Sequence, residues 1–202
     1  MGPSTPQARR VAVRQARALL AGVALALAAS PGPAATAPKP VLIELFTSEG
    51  CSSCPNADAL LAALLEKQPV PGVELVGLAF HVDYWDRLGW RDRFASPANT
   101  KRQRRYQEAF GVSAVYTPQA VVDGSAECVG GDPSALERLV AQAMTSPKLV
   151  VALELSGAGE SATTARITVE PAPFAAAEAD VWLALAESGL MLADGKAREP
   201  HD

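Results

Sequence analysis

The sequence predicts an α/β fold with a small antiparallel β module appended at its C-terminal end. Three observations carry that reading. Apolar runs of strand length alternate with helical patterns between Val41 and Thr145. A Cys-x-x-Cys pair, Cys51-Ser52-Ser53-Cys54, stands between the first apolar run and the first helical pattern. Beyond Pro147 the pattern changes to short alternating segments punctuated by Gly157, Gly159, Pro171 and Pro173.

The elements follow in order. Val41 to Thr47 reads as a buried strand, and Asn56 to Lys67 as a helix with Leu60, Leu61, Leu64 and Leu65 on one face. Pro69-Val70-Pro71-Gly72 ends it. Val73 to Val82 is a second strand, apolar but for Glu74, so the two strands are expected in a parallel sheet covered on both faces. Asp83 to Ser96 is a polar and aromatic connection. Ser96-Pro97 is an N-cap and first-turn proline for a helix running to Phe110 and stopped by Gly111. Gln119 to Asp123 and Ala126 to Val129 form a hairpin turned at Asp123-Gly124, and Asp132-Pro133-Ser134 opens a helix ending near Thr145. The appended module is expected to hold strands over Leu149 to Leu155, Ala165 to Val169 and Val181 to Ala186, with Gly195 to Asp202 frayed.

The first residues are read as an export leader rather than as part of the fold. Arg9, Arg10, Arg14 and Arg17 form a basic start, Leu19 to Ala29 an apolar run too short for a permanent membrane span, and Ser30 to Ala37 a small-residue cleavage region. An uncleaved anchor is the alternative. The organisation is therefore residues 1–37 leader, 38–147 main domain and 148–202 β module, with a periplasmic or secreted location expected. The whole chain of 202 residues carries a formal net charge of −4. Without the four leader arginines, 14 basic residues face 22 acidic ones, a balance of about −8 that argues against nucleic acid as a general partner.

The chemistry centres on Cys51 and Cys54. A helix N-terminus favours a thiolate over a thiol, and a thiolate is the species that attacks disulfides. Cys51 is then the nucleophile and Cys54, one turn on, the resolving thiol. An inert staple and half of a metal site are the alternatives, although zinc normally takes four ligands and no second Cys-x-x-Cys exists. His81 and Asp83 lie at the carboxyl end of the second strand, the same sheet edge as the dithiol. They are spaced to share a side and to move protons for it, or else to cap the long connection. Glu44 interrupts a buried strand, which marks a perturbed carboxylate near the site or a strand position at a polar edge. Ser48 and Glu49 shape the approach to the dithiol. Arg87, Arg91, Arg93, Lys101, Arg102, Arg104 and Arg105 crowd a short stretch with Trp90 and Phe94, which is either a solvated face or a dock for an acidic partner. Cys128 is the odd thiol of three, expected to be a buried, inert strand residue, with pairing between chains or a third redox thiol as the alternatives.

Four ordered blocks carry a resemblance. They are Phe46-Thr47-Ser48-Glu49-Gly50-Cys51-Ser52-Ser53-Cys54-Pro55 with Asp58 and Leu60-Leu61; Phe80 to Asp86 with Leu88-Gly89-Trp90; Phe94-Ala95-Ser96-Pro97 with Arg102-Gln103 and Tyr106; and Val115 to Gln119 with Gly124. Together they resemble the secreted thioredoxin-like family known as domain of unknown function twelve twenty-three, from about Val41 to Met144 and more weakly to Leu190. The resemblance implies a thioredoxin-like fold with the appended β module, and it implies no substrate. In such folds a cis proline faces the dithiol, and the residue before it offers backbone groups to an extended partner. Thr117-Pro118, directly before a strand, is the matching pair, with an ordinary trans proline as the alternative. Gly189 to Asp202 departs from the family's closing segment, so the β module is expected to be incomplete.

The sequence thus leads to an exported thiol–disulfide oxidoreductase, or a redox-active relative, acting on protein thiols or disulfides with no organic cofactor. Cys51, Cys54, Pro118, Thr117, His81 and Asp83 are its candidate residues. One rival is a copper-binding relative in which Cys51, Cys54 and His81 hold Cu(I), a soft ion suited to thiolates. The other is a non-catalytic binding domain whose disulfide is structural.

Overall fold

The computed structural model describes residues 37–157, 163–171 and 180–187. It contains a four-stranded mixed sheet with three α-helices and a separate two-stranded antiparallel sheet. Strand β1 (Lys39–Thr47) leads into α1 (Cys54–Lys67), β2 (Val73–His81), a single 3-10 turn at Asp86–Leu88, and α2 (Pro97–Phe110). Then come β3 (Gln119–Val122), β4 (Ala126–Val129), α3 (Pro133–Thr145), β5 (Val151–Ser156) and β6 (Thr164–Val169).

The sheet order is β2-β1-β3-β4. Only β1 and β2 run parallel, with Lys39 opposite Val73 and Thr47 opposite His81. Strand β3 runs antiparallel to β1, and β4 antiparallel to β3. The expected parallel sheet is therefore corrected to a mixed one with β2 at its edge, while helices cover both faces as expected. The apolar run of β2 misleads because Val76 is left exposed and Gly77 carries no side chain. A Cβ at Gly77 would stand 2.6 Å from Leu65 Cδ1, so the glycine lets α1 lie close against this strand.

Alternation along β1 splits the core in two. Val41, Ile43 and Leu45 pack with Ala57 and Leu61 of α1, and with Leu136, Val140 and Ala143 of α3. On the opposite face Phe46, Val121 and Val82 pack with Phe80, Tyr84, Trp85, Tyr106 and Phe110. The helices begin and end where local chemistry dictates. Ser96 Oγ accepts from the Ala98 amide and Asp132 Oδ1 from the Ala135 amide, each just before a proline, while Gly111 (φ 68°) closes α2. The hairpin turns through Asp123 and Gly124 as expected.

Glu44 also lies on the α2 face, 1% exposed. It accepts from Arg102 Nε at 2.5 Å, Arg102 Nη2 at 2.9 Å and the Tyr106 hydroxyl at 2.6 Å. Burial, and then the Glu44 carboxylate, push Tyr106 up to about 12. The Arg102 guanidinium stacks over Phe80 and Tyr106. The unexpected charge in a buried strand is thus the anchor of α2, satisfied by a two-pronged arginine. It is not brought to the dithiol.

In the β5–β6 hairpin, Val151 pairs with Val169 and Ser156 with Thr164, and nearly every residue is exposed. Val181 to Ala186, expected as a strand, is not one, although the Trp182 ring lies beneath the Arg105 guanidinium. An apolar run forms a strand only where a neighbouring edge accepts its hydrogen bonds. The expected leader up to residue 36, Gly159, Pro173 and the tail from Gly189 lie outside the described residues. Among the described residues no helix is long and apolar enough to cross a membrane.

Glu44→Gln is expected to lower unfolding stability by about 2 kcal/mol, because Arg102 loses its charged acceptor while staying half-covered. A fall in the urea midpoint at constant slope is the check, and an unchanged midpoint would mean that Arg102 is solvated without cost.

Candidate functional site

Strand β1 ends at Thr47, and the chain turns through Ser48-Glu49-Gly50 into the dithiol. Cys51 and Cys54 form a disulfide with Cα atoms 5.4 Å apart. Cys54 is the first residue of α1, and Pro55 sits in its first turn. Ser53, the N-cap, makes no side-chain cap, so the first-turn amides keep their positive end for a sulfur anion. Both cysteines are buried, Cys51 at 1% and Cys54 at 0% exposure.

The Thr117–Pro118 peptide is cis. Gln119 pairs with Phe46, so the proline and the dithiol loop lie at the same end of adjacent strands. Helix α2 fixes the proline loop through Gln103, which is fully buried. Its Nε2 donates to the Tyr116 carbonyl at 2.7 Å and to Gln119 Oε1 at 3.0 Å. The Gly130 amide donates to the Pro118 carbonyl.

The connection from Val82 to Ser96 straps these two loops together. Trp85 Nε1 donates to Thr117 Oγ1 at 2.8 Å, and Trp90 Nε1 donates to Glu49 Oε2 at 2.8 Å. The strap lies so close to the dithiol loop that a Cβ at Gly50 would come within 2.7 Å of Trp85 Cβ. Only glycine fits there. Asp92, 2% exposed, holds the strap from within. Its carboxylate accepts from the Glu49 amide at 2.9 Å, the Phe94 amide at 2.9 Å and His81 Nδ1 at 2.6 Å.

The strap decides where the candidate acid–base residues go. His81 turns to Asp92. Burial opposes its protonation, but the Asp92 bond and the charges of Asp92, Asp58 and Glu49 outweigh that and raise its pKa above 6.5. Burial likewise opposes the Asp92 anion, but His81 and the two amides hold its carboxyl below the usual range. Asp83 does not join them. It accepts from Thr100 Oγ1 at 2.6 Å and secures the first turn of α2. The expectation that His81 and Asp83 serve one side together is corrected, since bending after β2 sends the two side chains to different partners.

Asp58 is the further carboxyl near His81. Desolvation raises its pKa, against the pull of Thr47 and His81. The Thr47 hydroxyl is buried and has no hydrogen-bond partner of normal geometry among the described residues. Asp92 was not anticipated from sequence as a site residue. Its signal was its solitude, as the one acid between Arg87 and Arg105. Cys128, on β4, is half-buried against the core, and burial followed by the charge of Glu127 pushes its thiol up to about 11. Among the described residues no group of three histidine, cysteine or carboxylate side chains is arranged to hold a metal ion.

The family model described as protein of unknown function, DUF1223, matches residues 42–197. The chain belongs to the DUF1223 family. The match continues to residue 197, past Leu190 where the resemblance was expected to fade. The DUF1223 chain is also similar to the X-ray crystal structure of protein AGR_C_4864 from Agrobacterium tumefaciens. The identity is 41%, over 61% of this chain and 55% of that one, with a TM-score of 0.53. The chain thus spans just over half the length of that relative. No curated protein matches it.

The His81–Asp92 pair should leave a pH signature. A raised histidine pKa adds stability below pH 6.5 that is lost as pH rises through the folded value. A lowered aspartate pKa adds stability above pH 3.8 that is lost as pH falls through the folded value. Asp92→Asn is therefore expected to cost most between pH 3.8 and 6.5. By NMR the His81 titration midpoint should drop in that variant, with His201→Gln assigning the signals. An unmoved midpoint would break the proposed coupling.

Proposed function

We propose that this protein is an exported thiol–disulfide oxidoreductase of thioredoxin-like architecture, working in the periplasm or outside the cell on protein thiols and disulfides. The observation that carries the reading is the Cys51–Cys54 disulfide at the uncapped start of α1, with the cis Thr117–Pro118 bond at the same end of the sheet. The sheet order β2-β1-β3-β4, with helices against both faces, supports the architecture. The basic and apolar leader supports export.

In the exchange a partner thiolate attacks Cys51 Sγ, the Cys51–Cys54 bond breaks, and Cys54 leaves as a thiolate that takes up a proton. A second partner thiolate then attacks its own sulfur in the mixed disulfide and releases Cys51, which is protonated in turn. Two electrons and two protons pass from the partner's dithiol to the protein, and the reverse sequence oxidises a substrate. Cys51 is the exchanging thiol and Cys54 the resolving one. Thr117 and Pro118 offer backbone to the partner, and His81, through its link to Asp58 and Asp92, tunes proton uptake. Asp83 acts on the site only by securing α2.

Burial of both cysteines favours a second reading, a non-catalytic domain with a structural disulfide. Equilibration in glutathione buffers separates the two. Exchange predicts a potential between about −120 and −270 mV and rapid iodoacetamide capture of Cys51 below pH 8.5 once reduced, with Cys128 unlabelled. A potential below about −300 mV with an unreactive Cys51 overturns the exchange reading.

A further inference from the structure

The outer side of the strap has a use that the exchange chemistry alone does not assign. Asp83, Asp86 and Asp92 are turned to internal donors: Thr100 Oγ1, the Asp92 amide, and the Glu49, Phe94 and His81 groups. The side chains left outside are Arg87, Leu88, Trp90, Arg91 and Arg93, with Leu88 at 59% and Trp90 at 42% exposure. Among the described residues neither Arg87 nor Arg91 has a carboxylate partner. Basic charge continues on the outer side of α2 at Lys101, Arg104 and Arg105, in a chain whose overall charge is negative. The strap thus has no net charge along its sequence, but Asp92 is buried and Asp83 and Asp86 are half-buried on internal donors, while Arg87 and Arg91 stand exposed beside two apolar side chains.

We infer that this basic and apolar surface is the docking site for an acidic segment of a protein partner, one that carries Asp or Glu beside an apolar side chain. Charge complementarity selects the acidic partner. Position selects a protein over an anionic lipid, and that choice rests on the exchange reading. Trp90 Nε1 is bonded to Glu49 Oε2, two residues before Cys51, and Trp85 is bonded to Thr117 beside the cis proline. A segment seated on Leu88 and Trp90 therefore delivers its own cysteine to the dithiol. Its carboxylates meet Arg87 and Arg91, and they compete with Glu49 for the indole N–H.

The test uses the full-length oxidised protein and two synthetic dithiol peptides of equal length, one Glu-rich with a central Leu and one Lys-rich. Serine versions carrying a fluorophore give binding by anisotropy. Cysteine versions give the rate of Cys51–Cys54 reduction, with dithiothreitol as a reagent that needs no docking. The Glu-rich peptide should bind and react at least about tenfold better at low salt, and the advantage should vanish at about 0.5 M salt. It should also vanish in Arg91→Glu and weaken in Leu88→Ser. Both variants should keep the wild-type melting temperature and dithiothreitol rate.

Equal binding of the two peptides overturns the surface. So does binding confined to vesicles of anionic phospholipid, or to a second copy of the chain. A disulfide inert to both peptides, together with salt-sensitive and Arg91-dependent anisotropy, removes the exchange reading and upholds the docking surface.

Discussion

The Asp92 carboxylate is buried, and it holds together segments that the sequence keeps far apart. It ties the dithiol loop through the Glu49 amide, the end of β2 through His81, and its own strap through the Phe94 amide. A carboxylate taken out of water is stable only while such donors stay in place. Each bond it makes therefore also fixes the donor's segment. The strap keeps Trp85 against Gly50 and Thr117 only while Asp92 is so held.

The parts of this arrangement legible in the sequence are those written locally. Ser96-Pro97, Gly111, Asp123-Gly124 and Asp132-Pro133 each fix the chain within a few residues, and the helix and hairpin bounds they imply hold. The dithiol is legible for the same reason, since strand, cysteines and helix are consecutive. What failed was pairing at a distance. The edge position of β2 depends on which strands pair with β1, which no feature of Val73–His81 encodes. Glu44 was rightly marked as unusual, but its partner was not legible, because Arg102 is 58 residues away on a helix whose facing side was unknown. His81 and Asp83 follow strand spacing only as far as the strand lasts, and β2 ends at His81. Val181 to Ala186 shows the converse: a strand-like composition with no paired edge among the described residues.

Sorting charge across so short a segment has a physical consequence. Three arginines among aromatics would read as an ordinary solvated face if the intervening acids were also outside, where neighbouring opposite charges largely cancel in water. Here the acids are turned to internal donors, so Arg87 and Arg91 are left without a carboxylate partner among the described residues. The acids that build the site and the exposed bases beside it are one feature of Asp83 to Arg93, in which the buried Asp92 carboxylate holds the strap in place.

If the dithiol exchanges as proposed, closure also bears on how fast it works. Release of the dithiol loop from the strap would break the Glu49–Asp92 and Trp90–Glu49 bonds together. Hydrogen bonds to charged groups contribute about 1.5–3 kcal/mol each, so opening costs on the order of 3 kcal/mol. The open form is then populated at about one part in a hundred, and intrinsic exchange rates fall by that factor for any reagent that waits for spontaneous opening. A partner that binds the strap and takes over the Trp90 indole recovers part of that factor from its own binding energy. Two reagents of equal thiol reactivity would then differ in rate according to whether they grip the strap, so the protein would discriminate among thiols without any pocket for the sulfur itself.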